Sequence, residues 1–295
     1  MTRILVIGET GQLARALAEA PPVPGRELAF LGRGALDLAD IEAIGPAVSA
    51  VRPDAVINAA AYTAVDRAEE ETALAERING AAVGRLAEVC AAAGAPLVHV
   101  STDYVFDGSL DRPWREDDPV APVNAYGASK LAGERAALAA GARVAVLRTA
   151  WVYAPWGANF LATMLRLAER ERLTVVDDQH GCPTSALDLA AACLAAAAAL
   201  LAEDDATAAG IWHYSGAGET SWAGFAEAIF AGALARGMIG RAPEVVRIPT
   251  ADYPTPARRP ANSRLDCSRF AARFGLAPRP WQEALAEVLD RRARA

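Results

Sequence analysis

Tyr126 and Lys130 stand four residues apart in Tyr126-Gly127-Ala128-Ser129-Lys130. On a helix that spacing puts the ammonium one turn from the phenol on the same face. A phenol has a pKa of about 10 and is a poor proton donor or acceptor at neutral pH. A nearby cation favours the phenolate and lowers that value, which suits general acid–base chemistry. The spacing alone also fits an ordinary solvated helix face. Composition sharpens it: the chain has 28 Arg and a single Lys, which is Lys130. Lys is a compact point charge on a flexible stem and Arg a planar fork, so a lone Lys marks a position where Arg does not serve. Upstream, the apolar run Pro96-Leu97-Val98-His99-Val100 delivers two hydroxyls, Ser101 and Thr102, ahead of Asp103-Tyr104-Val105-Phe106-Asp107-Gly108.

Positioning these groups requires a scaffold, and the N-terminus supplies its first unit. Arg3–Ile7 reads as a buried parallel strand. It runs into Gly8-Glu9-Thr10-Gly11-Gln12-Leu13-Ala14 and then a helix over Arg15–Ala20. That is G-x-x-G-x-x-A in the strand–turn–helix context of a dinucleotide-binding loop, where glycines let the backbone approach a pyrophosphate. The second strand, Glu27–Leu31, is followed by Gly32-Arg33-Gly34. An acid at this point binds a ribose 2′-hydroxyl, whereas Arg suits a 2′-phosphate. Arg33 therefore points to NADPH, with NADH as the alternative. Asp37 and Leu38 are placed at the adenine end.

The third strand begins at Asp54 and ends in small residues through Ala59, Ala60 and Ala61 to Tyr62, over which a cofactor can lie. Ala68–Cys90 reads as the next helix, on which Asn79 is a candidate buried hydrogen-bonder, with a surface Asn as the rival reading. Pro96–Val100 and Arg143–Leu147 are strands four and five. The expected cofactor contacts are Gly8, Thr10, Gly11, Gln12, Leu13, Arg33, Asp37, Leu38, Ala60, Ala61, Tyr62, Thr63, Asn79, Tyr126 and Lys130. Strands alternating with helices in this way predict an α/β fold, a Rossmann-like doubly wound parallel sheet. After Arg148 the chain changes character and carries five of its six Trp. Residues 1–150 are expected to form the dinucleotide-binding domain, with 186–212 returning to it. Residues 151–185 and 213–295 are expected to form a smaller C-terminal substrate lobe.

Composition excludes several classes. The chain is 53% hydrophobic and 22% charged with a net charge of −7, which predicts a globular protein with no nucleic-acid surface. The apolar run 190–202 is Ala-rich and shorter than the roughly 20 residues that span a bilayer, so no membrane segment is expected. Cys90, Cys182, Cys193 and Cys267 have no paired spacing, and His99, His180 and His213 do not cluster with them. The expectation is reduced thiols in a cytoplasmic protein without a zinc site.

Beyond single motifs, the chain resembles the dTDP-4-dehydrorhamnose reductases among the extended short-chain dehydrogenase/reductases. The blocks that carry the resemblance are Gly11–Leu13, Asn58–Asp66, Thr102–Gly108, Arg148–Tyr153, Asp178–Thr184 and Arg259–Asp266, in the family's order across nearly the whole chain. The resemblance implies NAD(P)H-dependent reduction of the C4 ketone of dTDP-4-dehydro-L-rhamnose. It implies Tyr126 as proton donor, Lys130 as holder of the nicotinamide ribose that also lowers the Tyr126 pKa, and Thr102 as the group that polarises the ketone. Asp103 and Trp151 would contact the sugar, with Arg258, Asn262 and Ser263 toward the nucleotide diphosphate. For Trp151 core packing is the rival reading, and for Asp178-Gln179-His180 a hydrogen-bonded loop.

Some family members place a metal at a dimer contact through carboxylates near the first helix. Here that helix reads Arg15-Ala16-Leu17-Ala18, with no acid before Glu19. No required metal is therefore expected, and the partner expectation is a dTDP-sugar with a monomer or weak homodimer. Two other readings remain open at this level. A dehydratase or epimerase of the same fold would need Asp-Glu after the Thr, and the chain has Asp103-Tyr104. A non-catalytic dinucleotide-binding subunit, like the beta subunit of methionine adenosyltransferase, would not need the Thr102/Tyr126/Lys130 set.

Overall fold

Five apolar runs that each end in a small-residue or hydroxyl-bearing loop form strands of one sheet: β1 (Thr2–Ile7), β2 (Arg26–Leu31), β3 (Ala55–Asn58), β4 (Leu97–Thr102) and β5 (Val144–Thr149). In a computed structural model that describes residues 1–202 and 206–294, a sixth strand, Gly210–His213, completes the sheet. The expected segments 186–212 and 213–295 include 203–205 and 295, which lie outside the described residues. The strand order is β2, β1, β3, β4, β5, then Gly210–His213, and every pairing is parallel. The fold is the expected Rossmann-like doubly wound sheet.

Both faces are covered, which is why the strands read as continuous apolar runs rather than alternating ones. On β1, Ile4 and Val6 face a core built with α1 (Gln12–Ala18) and, later in the chain, α7 (Ala186–Leu201). Leu5 and Ile7 face a second core with α2 (Ile41–Val51), α4 (Ala82–Ala92) and α5 (Ala125–Ala139). The Ala-rich run thus forms a helix packed on the sheet, and no helix of the described residues is long and apolar enough to cross a membrane.

Two elements differ from expectation. The first helix begins at Gln12 rather than Arg15. The single helix expected over Ala68–Cys90 is broken into a short turn at Arg67–Glu69, α3 (Thr72–Glu76), a π-turn at Arg77–Ala81, and α4. A π-turn carries one extra residue per hydrogen-bonded ring and so re-aims a side chain. Here the turn contains Asn79, which is fully buried.

The remaining chain builds a smaller apolar core. α6 (Phe160–Leu167) and, toward the C-terminus, the helices Trp222–Ala235 and Trp281–Ala293 pack around Phe225, Phe230 and Leu289. Two short parallel strands, Arg172–Val176 and Glu244–Ile248, flank them.

Candidate active site

Register sets the site. β1 pairs Ile7 with Leu31 on β2 and with Asn58 on β3, and β4 pairs Thr102 with Thr149 on β5. The C-terminal ends of these strands therefore share one edge. The order reverses between β1 and β3, and ligands of open α/β sheets bind in the crevice at such a switch point. A cleft of about 690 Å³ lies there.

Most of the expected site residues line this one cleft. Gly8, Thr10, Gly11, Gln12, Leu13, Arg33, Asp37, Leu38, Ala60, Ala61 and Thr63 lie toward one end, and Thr102, Asp103, Tyr126, Lys130 and Trp151 toward the other. Gly8 takes φ +119°, which a side chain disfavours, and an added Cβ would sit 3.5 Å from the Ala14 Cβ and 3.6 Å from the Ala59 backbone. The loop is therefore tight against both the helix and β3, as close approach to a pyrophosphate requires.

Tyr62, Asn79, Arg258, Asn262 and Ser263 do not line it. The Tyr62 phenol donates to Glu71 Oε2 at 2.6 Å. Asn79 accepts from the Tyr62 N–H at 2.8 Å, donates to the Tyr62 carbonyl at 2.9 Å and reaches Ser129 Oγ at 3.0 Å. It ties the loop after β3 to α5. Arg258 lines a second cavity of about 980 Å³ with Asp107, Asp178, Tyr253 and Arg259. The Asn262 amide donates to the Leu110 and Arg112 carbonyls, each at 2.7 Å, and accepts from Arg264, so it closes a loop. Ser263 is buried beside Asp103. Asp178 accepts from the Thr250 N–H at 2.9 Å, a loop tether at that cavity's rim.

Hydrogen bonds fix the start of α5 and the Lys130 ammonium. Asn124 caps α5, its Oδ1 accepting from Gly127 N–H at 2.7 Å, so the helix starts at Ala125, one residue before Tyr126. Lys130 is 2% exposed and donates to the Val100 carbonyl at 2.7 Å, with His99 Nε2 at 3.4 Å. His99 Nδ1 meets the Asn58 amide nitrogen at 3.2 Å, and Asn58 Oδ1 accepts from Ala60 N–H at 3.2 Å. Burial pushes the Lys130 ammonium down to about 8, against the opposing pull of Glu134, and holds His99 well below its usual value, so His99 is neutral.

The expected influence of Lys130 on Tyr126 is not what governs the phenol here. Burial raises the Tyr126 pKa most, the Asp103 carboxylate raises it further, and a hydrogen bond with Thr102 lowers it. Lys130 instead points to the Val100 carbonyl. The phenol stays protonated, the state required of a proton donor. Its ring meets Tyr104 edge-on at 5.7 Å.

Thr102 has one hydroxyl proton, and Asp103 Oδ1 accepts it at 3.0 Å, while Tyr104 N–H donates to the hydroxyl oxygen at 3.2 Å. Asp103 is 3% exposed, and its Oδ2 is buried without a hydrogen-bond partner. Burial pushes this carboxyl up to about 7, with Ser263 and Thr102 acting the other way.

The raised pKa has a consequence for stability. From the unfolded value of 3.8 up to about 7, the folded state keeps a proton that the unfolded chain has released. Stability therefore falls as pH rises through that window. In Asp103→Asn this fall should be smaller, read as melting temperature between about pH 4 and pH 8. Parallel curves for variant and wild type would exclude Asp103 as its source.

Trp151 anchors the far wall. It adopts φ +50°, rare for a non-glycine residue, and stacks on Trp222 at 3.5 Å with planes 7° apart. A side chain at Gly181 would collide with its indole. Packing and cleft lining are thus both true of Trp151.

A family described as the RmlD substrate binding domain matches residues 1–294. The chain belongs to this family. The chain is 47% identical to a dTDP-4-dehydrorhamnose reductase of Burkholderia thailandensis, over 96% of each chain. It is 44% identical to one of Sinorhizobium fredii, over 96% of this chain and 95% of that one. Its fold matches a dTDP-4-dehydrorhamnose reductase of Bacillus anthracis in complex with NADP, with a TM-score of 0.90, 33% identity and coverage of 99% and 100%.

Several site residues of this RmlD-family chain were not singled out from the sequence. His99 and Asn58 back Lys130, Trp222 stacks on Trp151, and a buried pair, Glu134 and Arg148, lies one turn beyond Lys130. Glu134 is at i+4 from Lys130, so the face shared by Tyr126, Lys130 and Glu134 was the available signal. Nothing local marks Trp222, which is far from Trp151 in sequence.

Proposed function

We propose that this protein reduces the C4 ketone of dTDP-4-dehydro-L-rhamnose to dTDP-L-rhamnose with NADPH. The observation that carries the reading is the convergence of Thr102, Tyr126 and Lys130 in the switch-point cleft. The cleft suits a dinucleotide: Gly8 and the small residues Ala60 and Ala61 line it without bulky side chains, and Arg33, which also lines it, supports a 2′-phosphate. When bound, NADPH supplies the hydride.

The side chains supply the rest. Tyr126, kept neutral by burial, gives its proton to the oxygen that becomes an alkoxide. Thr102 donates to the same oxygen when Asp103 does not claim its proton, and so polarises the ketone. Lys130 places a positive charge, or a donor, beside the ribose of the cofactor. Trp151 presents a rigid aromatic wall to the sugar. Arg258 lines the second cavity, and its guanidinium can pair with phosphate there, while Asn262 holds the Leu110–Arg112 loop. Tyr104 occupies the place where a dehydratase needs a second carboxylate, which favours reduction over elimination. The reading includes a cytoplasmic protein that acts as a monomer or weak homodimer.

Purified protein mixed with NADPH and enzymatically generated dTDP-4-dehydro-L-rhamnose should consume NADPH only when the sugar is present, followed by nicotinamide absorbance. Protein that binds the cofactor and yet consumes neither NADPH nor NADH would overturn the proposal.

A further inference from the structure

β2 ends at Leu31, and the next residue, Gly32, has no side chain. The space beside it is filled by Glu9, from the loop after β1. A Cβ built at Gly32 would collide with Glu9 Oε2 and would lie 3.0 Å from Glu9 Cβ and 3.2 Å from Glu9 Cδ. The end of this strand is where dinucleotide-binding sheets commonly place an acid on the ribose 2′-hydroxyl. Here the strand itself continues as Gly-Arg, and the carboxylate reaches the same place from the neighbouring loop.

The surrounding charges give that carboxylate a consequence. Glu9, Arg33 and Asp37 all line the cleft. Arg33 Nε is engaged by Asp37 Oδ2 at 3.1 Å, and Asp37 Oδ1 accepts from Ala39 N–H at 3.0 Å. The adenosine end thus holds two carboxylates against one guanidinium. A 2′-phosphate adds roughly two negative charges. It gains Arg33 but must draw it from Asp37 and lie near Glu9. A 2′-hydroxyl has no charge to repel and can donate to a carboxylate.

We propose that Glu9 is a specificity-determining residue: it accepts from the ribose 2′-hydroxyl of NADH and opposes the 2′-phosphate of NADPH, limiting the preference that Arg33 confers. The inference rests on the cleft being the dinucleotide site. The test therefore measures cofactor binding with no sugar present. The full chain and Glu9→Gln are titrated with NADPH and with NADH, following nicotinamide fluorescence. Glu9 is exposed, and matching melting curves will verify that the variant is folded.

Glu9→Gln should bind NADPH about tenfold more tightly and NADH about threefold more weakly, with the gain for NADPH shrinking as salt screens the charges. A ratio of the two affinities within about twofold of wild type, with both cofactors still bound, would overturn the assignment of Glu9 while leaving the site intact. Failure of the wild-type chain to bind either cofactor would overturn the dinucleotide site and, with it, the role of Glu9.

Discussion

Tyr126→Phe should lower turnover of the sugar ketone by about 10²–10⁴-fold, the range that a positioned proton donor contributes. The substitution removes one oxygen from a half-buried ring that lines the cleft and leaves its edge-on contact with Tyr104 at 5.7 Å available to Phe. NADPH affinity should stay within a few-fold of wild type, because the fingerprint loop and Arg33 lie at the other end of the cleft. Single-turnover NADPH oxidation, with the affinity measured separately, separates the two effects. Near-normal turnover would remove Tyr126 from the proton transfer. The pH profile adds a check: burial and Asp103 both raise the phenol pKa, so Tyr126 remains a proton donor across neutral pH.

The second large effect concerns Glu134 and Arg148. Arg148 Nη2 meets Glu134 Oε2 at 2.7 Å, with both side chains almost wholly buried at 2% and 1% exposure. Glu134 also accepts from Ser101, the neighbour of Thr102, and Arg148 adjoins Thr149. The pair fastens α5, which carries Tyr126 and Lys130, to the ends of β4 and β5. Breaking a buried pair strands the remaining charge away from water, at a cost of about 3–5 kcal/mol. Glu134→Leu should show that loss in urea unfolding. Glu134→Leu combined with Arg148→Met removes both charges and should recover most of it. A single variant as stable as wild type would mean that water or a rearranged partner takes up the stranded guanidinium.

The fold was legible because its signals are local. Buried parallel strands need unbroken apolar runs, and their loops need small residues, so β1 through β5 and the Gly8–Ala14 turn could be read along the chain. The π-turn was not legible, since its extra residue is chosen by the fit of Asn79 between Tyr62 and Ser129 rather than by its own neighbours. The partners of Tyr62 and Asn262 were not legible either: their polar atoms are engaged by Glu71 and by the Leu110–Arg112 backbone, and neither residue lines the cleft.

By itself the sequence determined the reactive inventory: a lone Lys one turn from a Tyr, a hydroxyl at a strand end, and a glycine turn at the N-terminus. Those depend on residue identity and short spacing, which the chain carries directly. Tertiary structure decided the charge states and the company each group keeps. Lys130 points to Val100 and His99 rather than setting the phenol, Asp103 is raised to about 7 by burial, and Glu9 lies at the end of β2. Burial and through-space neighbours exist only once strands distant in sequence are laid side by side, and electrostatic energies follow distance and solvent access rather than position along the chain.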